Sequence, residues 1–310
     1  MKRVLVTGAR GFLGRWTLAP LQERGFEVHA VGRSTEAPPE PPRLPPGIRW
    51  HRTDLLLPGR ARALVERVRP THLLHLAWVT EHGRFWSAPE NLAWVSASLE
   101  LLEAFAEAGG KRVVVAGSCA EYDWGTGACV EKETPLRPST LYGAAKHALH
   151  VLQEAWARER GLSQAWGRVF FPYGPGEPEG KFVASVARSL LRGEEACCTR
   201  GEQVRDLIFV ADAALALVRL LDSELQGPVN IASGEARPLR EVALALGRQL
   251  GRPDAVRLGA LPDRPGDPPC VAADVRRLRD ELGFGPTHDL EQGLAASIEF
   301  WRTMARGDAP

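Results

Sequence analysis

The sequence has almost no net charge. Lysine and arginine number 39 against 38 aspartates and glutamates, so no overall field draws the chain toward nucleic acid or an anionic membrane, and any phosphate binding has to be local. Long apolar runs are missing too: nothing approaches the roughly 18 apolar residues of a membrane span. No apolar targeting run precedes the first strand-like segment, Lys2 to Thr7. The five cysteines are an odd number without metal-type spacing, Cys197 and Cys198 being simply adjacent. They read as reduced thiols in a cytoplasmic protein. No internal repeat is visible. What is present is 310 residues with 44% hydrophobic and 25% charged side chains. That is enough for one large α/β domain, or a nucleotide domain carrying a smaller lobe.

Strand-like and helix-like segments alternate through the first half. Apolar runs at Lys2–Thr7, Glu27–Val31, Ile48–His51, Thr71–Leu76, Arg112–Ala116 and Gln164–Phe170 predict strands. Amphipathic stretches at Arg60–Val68, Glu90–Ala108 and Thr140–Arg160 predict helices between them. The proline-rich stretch from Ser34 to Gly47 predicts a surface loop. Strict alternation predicts a doubly wound parallel sheet with helices on both faces, an α/β Rossmann domain. After Phe171 short Pro/Gly-rich pieces separate shorter elements. This predicts a dinucleotide-binding domain over 1–171, joined by 205–232, and a smaller C-terminal substrate-binding lobe within 172–310.

The run TGARGFLG places Gly8, Gly11 and Gly14 between the first strand and the first helix. The first glycine permits a tight turn, the second lets the backbone approach a pyrophosphate, and the third lets helix and strand pack closely. With Arg10, Phe12 and Leu13 these residues form the expected cofactor cradle, the anion being held by helix-end N–H groups. At the end of the second strand an NAD-specific site usually carries an acid, and here Gly32, Arg33 and Ser34 stand instead. Two guanidiniums, Arg10 and Arg33, suit a ribose 2′-phosphate, so NADP(H) is the expected cofactor, with NAD(H) as the alternative.

Tyr142 and Lys146 lie four residues apart on the predicted helix and so share a face. A phenol with an ordinary pKa of about 10 exchanges protons poorly at neutral pH; a neighbouring ammonium and a cationic nicotinamide favour the phenolate. Ser118, just past the strand ending at Ala116, can hydrogen-bond the same carbonyl or alcohol oxygen. Tyr142 is thus the candidate acid/base, Lys146 its tuner and ribose ligand, and Ser118 the orienting group.

In chain order the sequence then reads Thr53-Asp54-Leu55, HLAW from His75, SCAEY from Ser118, YGAAK from Tyr142, YGPG from Tyr173, RDLIFVADAALAL from Arg205, NIASGE from Asn230 and ELGFGP from Glu281. In this order the motifs resemble, nearly end to end, an extended short-chain dehydrogenase/reductase of the NAD-dependent epimerase/dehydratase type. The resemblance implies that Asp54 hydrogen-bonds the adenine, that Leu55, Leu76 and Ala77 line the cofactor, and that the protein is a homodimer through the helices at 90–108 and 140–160. It also implies a nucleotide-sugar substrate, with Arg205 and Arg264 clamping its pyrophosphate. Lys181, after a glycine at the mouth of a predicted helix, is a weaker phosphate candidate; Trp78 at a strand end and Trp124 after the serine motif, with Thr80, are candidates to line the sugar or base pocket.

The residues after Ser118 discriminate among reactions. The family's 4,6-dehydratases follow this serine or threonine with an Asp-Glu pair, whereas this chain has Cys119 and Ala120. Epimerase-reductases of the GDP-fucose type place a cysteine two residues after the serine. Cys119 is one residue early and, in an extended segment, points away. The expected reaction is therefore reduction of a 4-keto-6-deoxy sugar nucleotide. A C4 epimerase with retained cofactor, a ketone reductase of a secondary metabolite, and a non-catalytic NADP-sensing protein are the alternatives. Two departures stand out. Trp94 occupies the place of a usual helix asparagine, with Asn91 one turn earlier, and His147 and His150 mimic a metal pair without matching ligands elsewhere, so no metal is expected.

Overall fold

The computed structural model describes residues 2–33, 42, 44, 46–125 and 127–306. Seven parallel strands form the central sheet: β1 (Lys2–Thr7), β2 (Phe26–Gly32), β3 (Arg49–Arg52), β4 (His72–His75), β5 (Arg112–Ser118), β6 (Ser163–Val169) and β7 (Gly227–Ile231). Their spatial order is β7-β6-β5-β4-β1-β2-β3. The order reverses between β1 and β4, the switch point at which such sheets open a crevice at their carboxyl ends. The helices are α1 (Gly14–Glu23), α2 (Arg60–Val68), α3 (Glu90–Glu107), α4 (Leu141–Arg160), α5 (Phe182–Leu191), α6 (Val210–Leu221), α7 (Leu239–Gln249) and α8 (Leu290–Arg306).

Both faces of the sheet are covered, so its central strands are apolar throughout rather than alternating. Val4, Val6, Leu74 and Val114 pack under α1 and α6 on one side; Leu5, Leu73, Val113 and Val115 pack under α2, α3 and α4 on the other. The chain's return in β7 pairs with β6 from Gly227↔Ala165 to Ile231↔Val169. A second sheet is built from Phe171–Tyr173, Val204–Phe209, Ala236–Pro238, Cys270–Ala273 and Ala128–Cys129. A separate apolar cluster joins α5, α7 and α8 around Val183, Leu246 and Leu294. The doubly wound sheet with a smaller later layer is as the alternation predicts. Strand ends shift by one or two residues, as β6 runs 163–169 rather than 164–170. Most of the expected proline-rich loop, Ser34 included, lies outside the described residues. No helix among the described residues is long and apolar enough to cross a membrane.

The amino end of the sheet is closed by one buried guanidinium. Arg112 opens β5 and donates to the carbonyls of Leu220 and Leu225 at 2.6 Å each and of Leu221 at 3.0 Å. It thereby satisfies the last carbonyls of α6, which have no partner within the helix. Charge-assisted bonds of this kind contribute about 1.5–3 kcal/mol each, and stranded carbonyls add to the loss. Because burying the guanidinium itself costs several kcal/mol and offsets part of this, Arg112→Met is expected to lower the unfolding free energy by about 3 kcal/mol net in urea titrations. Cofactor affinity should stay unchanged, because Arg112 sits at the opposite end of the sheet from the crevice.

Candidate active site

The glycine loop is built as its spacing demands. Gly8 has φ of +67°, and a Cβ there would run into the backbone of Leu76 and Ala77 at the end of β4. A Cβ on Gly14 would overlap the Gly8 carbonyl oxygen, so the start of α1 can rest on the loop only without side chains. Helix α1 begins at Leu13 with no side-chain cap, leaving its first N–H groups for an anion. Beside it, the buried Nη1 of Arg10 has no hydrogen-bond partner among the described residues. An uncapped helix, a cradle of glycines and an orphaned guanidinium nitrogen together fit the pyrophosphate of a dinucleotide. Phe12 and Leu13 are half-buried in the loop, Leu76 is half-buried, Ala77 and Leu55 are buried, and Arg33 is exposed at the end of β2. Asp54 spends one carboxylate oxygen on its own turn, accepting from Leu56 N–H at 3.1 Å.

Ser118 closes β5, and the chain turns at once through the 3₁₀ residues Cys119–Glu121. It is this turn, not an extended continuation, that places Cys119 among Tyr122, Cys129, Phe170, Ala232 and Val271. Burial pushes the Cys119 thiol far above its ordinary value, so it is held protonated. Helix α4 starts next to the turn, capped by Thr140, whose hydroxyl accepts from Gly143 N–H at 3.1 Å. Only a glycine at 143 fits, because a Cβ would overlap the Ala120 carbonyl oxygen. Tyr142 thereby comes over the end of β5, where burial raises the phenol above its usual range and the Ser118 side chain pulls the other way.

Lys146 is buried, donates to the Ala116 carbonyl at 2.8 Å and lies 3.8 Å above the Trp78 ring centroid. Burial lowers its pKa to about 7, with Glu121 opposing. The expectation that a neighbouring ammonium depresses the tyrosine is not met in this state. The ammonium is spent on a carbonyl and a ring, and the groups Tyr142 faces are Ser118, Cys119 and Glu121.

Tryptophans shape the surroundings. Trp78 is buried beneath Lys146 rather than on an open wall, and its indole N–H donates to Asn91 Oδ1 at 2.8 Å. Asn91 in turn donates to the carbonyls of Phe85 and Ala88, both at 2.8 Å. Asn91 and Trp94, which stacks on Trp78 at 6.1 Å between centroids, thus together organise the segment before α3. That segment delivers Phe85 and Trp86 edge-on to Tyr142, at 4.9 and 5.8 Å, and Trp86 meets Trp124 at 6.3 Å. Trp124 is anchored by its N–H to the Cys119 carbonyl at 2.7 Å. Phe85 and Trp86 escape sequence reading because they lie in an irregular segment with no motif.

The basic residues divide. Lys181 has its ammonium 5.5 Å from the Phe12 ring centroid, and burial lowers its pKa against the opposing charge of Glu177. His82, though exposed, is lowered by partial desolvation and by the positive charges of Lys181 and Arg264. Thr80 is exposed on the same stretch as His82, and Arg264 is exposed too. Arg205 is not a free clamp: its guanidinium binds Asp267 at 2.5 Å and the Val204 carbonyl at 2.8 Å. Asp206 is buried and accepts from Ser233 and Gly234, folding the turn after β7.

The histidine pair does have a third group, contrary to expectation: Glu121 lies within 4.8 Å of His147 and His150. It is poorly suited to a metal. The Glu121 oxygens already accept from Ser118 N–H, Trp166 Nε1 and Arg168 Nε. Arg168 also faces His150 Nδ1 at 3.2 Å, and as a donor it leaves the proton on Nε2.

Lys146 carries a test of this burial. Its pKa is about 7 in the folded chain against 10.5 ordinarily, so between those values the unfolded chain binds more protons and stability rises with pH. The contribution is fully present above 10.5 and lost as pH falls toward 7. Unfolding free energy of wild type minus that of Lys146→Met should therefore climb across this window in denaturant titrations. A flat difference would show that Lys146 is solvated.

A sequence model of the NAD dependent epimerase/dehydratase family matches residues 4–232. The chain is 28% identical to a dTDP-4-dehydro-6-deoxy-D-allose reductase of a Streptomyces species, over 98% of both chains. Among solved structures it superposes on MoeE5 in complex with UDP-glucuronic acid and NAD, with a TM-score of 0.82, 32% identity, and coverage of 97% of this chain and 99% of that one. It superposes similarly on the Thermus thermophilus UDP-glucose 4-epimerase in complex with NAD, with a TM-score of 0.81, 27% identity and the same coverage. The chain belongs to the NAD dependent epimerase/dehydratase family and is an NAD(P)-dependent enzyme of the extended short-chain dehydrogenase/reductase type.

Proposed function

We propose that this chain is an NADP(H)-dependent reductase of a nucleotide-linked 4-keto-6-deoxy sugar, with Ser118, Tyr142 and Lys146 as its reacting side chains. The observation that carries the reading is the end of β5, where a hydroxyl, a phenol and an ammonium gather while the next two residues bring no acid–base pair. Cys119 is a protonated buried thiol and Ala120 is inert. Elimination of water and epimerisation beside the carbonyl both need a base there, so hydride transfer at one carbon is left. The reductase relative that aligns over 98% of the chain supports the same reaction.

The nicotinamide, when bound, supplies the hydride. Tyr142, a phenol protonated at neutral pH, donates its proton to the carbonyl oxygen as that oxygen becomes a hydroxyl. Ser118 holds the same oxygen, and Lys146 holds the cofactor ribose and supports proton return to the phenol. The edges of Phe85 and Trp86 beside Tyr142 suit the apolar methyl of a 6-deoxy sugar. Lys181 and Arg264 supply positive charge for a sugar-nucleotide pyrophosphate. Exposed Leu92 on α3 and Val151 and Leu152 on α4 support pairing of these helices in a homodimer. A second reading, a C4 epimerase with retained NAD(P), draws support from the Thermus thermophilus enzyme aligned over almost the whole chain.

Mixing the protein with NADPH and a panel of 4-keto-6-deoxy nucleotide sugars should consume nicotinamide absorbance. Tyr142→Phe should reduce turnover by about 10²–10⁴-fold with cofactor binding intact. Redox-neutral isomerisation instead would establish the epimerase. The unpartnered Arg10 nitrogen and exposed Arg33 support a 2′-phosphate. Arg33→Ala should therefore shrink the NADPH-over-NADH preference by about 10-fold or more, and an unchanged ratio would remove Arg33 from the site.

A further inference from the structure

We propose that Glu121 is a positioning residue for Ser118 and Tyr142, its buried carboxylate setting the turn on which both hydroxyls depend. The inference rests on the reductase reading of the same site and adds a residue to it.

Glu121 is fully buried. One carboxylate oxygen accepts the Ser118 backbone N–H at 2.8 Å and the Trp166 indole N–H at 2.9 Å. The other accepts the Trp166 N–H at 3.1 Å and Arg168 Nε at 2.9 Å. The Ser118 hydroxyl accepts from Ala120 N–H at 3.2 Å, so backbone and side chain of Ser118 are tied to the turn in reciprocal fashion. The chain makes room for this arrangement. A Cβ on Gly117 would overlap the Trp166 indole nitrogen and crowd the carboxylate, and a Cβ on Gly143 would overlap the Ala120 carbonyl. The turn held by Glu121 is therefore the surface on which the first turn of α4, and with it Tyr142, is seated.

Arg168 extends the hold. It reaches the Tyr122 hydroxyl at 3.0 Å, the Glu131 carbonyl at 3.1 Å and His150 Nδ1 at 3.2 Å. His150 lies one turn beyond Lys146 on α4 and stacks on Trp166 at 4.8 Å. One ion pair thus joins the strand bearing Ser118, the neighbouring strand β6 and the helix bearing Tyr142 and Lys146.

The charge acts as well as the geometry. Lys146 faces Glu121 and the neutral His75; Tyr142 faces Glu121 and the thiol of Cys119, with the Ser118 hydroxyl. Glu121 itself faces Arg168, Tyr122, and His147 and His150 from α4. The carboxylate therefore favours protonated Lys146 and protonated Tyr142, the forms a reductase starts from.

The test uses two variants. Glu121→Gln with Arg168→Met removes both charges, so neither is left buried alone. Glu121→Asp keeps the charge but shortens its reach to the Ser118 N–H. In the double variant kcat should fall on the order of 10- to 100-fold with NADPH affinity unchanged, and the alkaline limb of the pH profile should move to lower pH. In apo protein the phenolate absorbance of Tyr142, isolated by subtracting Tyr142→Phe, should also rise at lower pH than in wild type. Glu121→Asp should lose kcat with its alkaline limb unmoved, and it serves alone should the double variant not fold. Wild-type kcat and an unmoved limb in a folded variant, or a loss that tracks only the folded fraction, would overturn the proposal. Turnover by Tyr142→Phe would instead sink the reading of the site itself.

Discussion

The open end of the sheet depends on how β5 stops. A buried carboxylate is costly unless every lone pair is used, because leaving water costs several kcal/mol per ion. Glu121 offsets that cost with three donors: the Ser118 N–H, the Trp166 indole shared by both oxygens, and Arg168. In doing so it converts a strand end into a rigid turn. Glycines at 117 and 143 follow from it, since each lies where a side chain would strike the turn or its anchors. The hydroxyl of Ser118 and the phenol of Tyr142 come from segments about twenty residues apart, and this turn is where they are brought to one place.

Around that turn the near-neutral chain becomes locally polarised. Arg10 offers an unpartnered nitrogen beside an uncapped helix start, while Lys146, Lys181 and Arg264 bring further positive charge. Burial pulls down the two lysines and lifts the phenol and the thiol. Before any ligand enters, the site thus holds two lysines whose charge is costly, a protonated tyrosine and an inert cysteine. The uncapped helix start at the glycine loop and the Ser118–Tyr142 hydroxyls at the end of β5 are separate features of the same crevice.

The aromatic content has a structural logic as well. Trp78 and Trp94 stack behind Lys146, Asn91 ties Trp78 to the carbonyls of the preceding segment, and that segment presents Phe85 and Trp86 to Tyr142. The departure from the family's helix asparagine is thus accompanied by a different local solution. An asparagine one turn earlier, with two indoles, holds the segment that packs on the tyrosine.

The sequence by itself determined the layered fold, because two-sided burial of parallel strands leaves continuous apolar runs, and determined the glycine loop and the Tyr142–Lys146 face, because these rest on local spacing. Strand ends were legible to a residue or two. What only the tertiary structure decided were the long-range partnerships. Arg205 looks available in sequence but is occupied by Asp267, and Trp78 looks like a wall but lies beneath Lys146. His147 and His150 gain Glu121 as a neighbour from 26 and 29 positions away, yet its lone pairs are already taken. Glu121 itself reads as one acid in a short motif. Its meaning depends on Trp166 and Arg168 on the adjacent strand, since hydrogen-bond saturation of a buried charge is a property of the packed interior and has no local sequence signal.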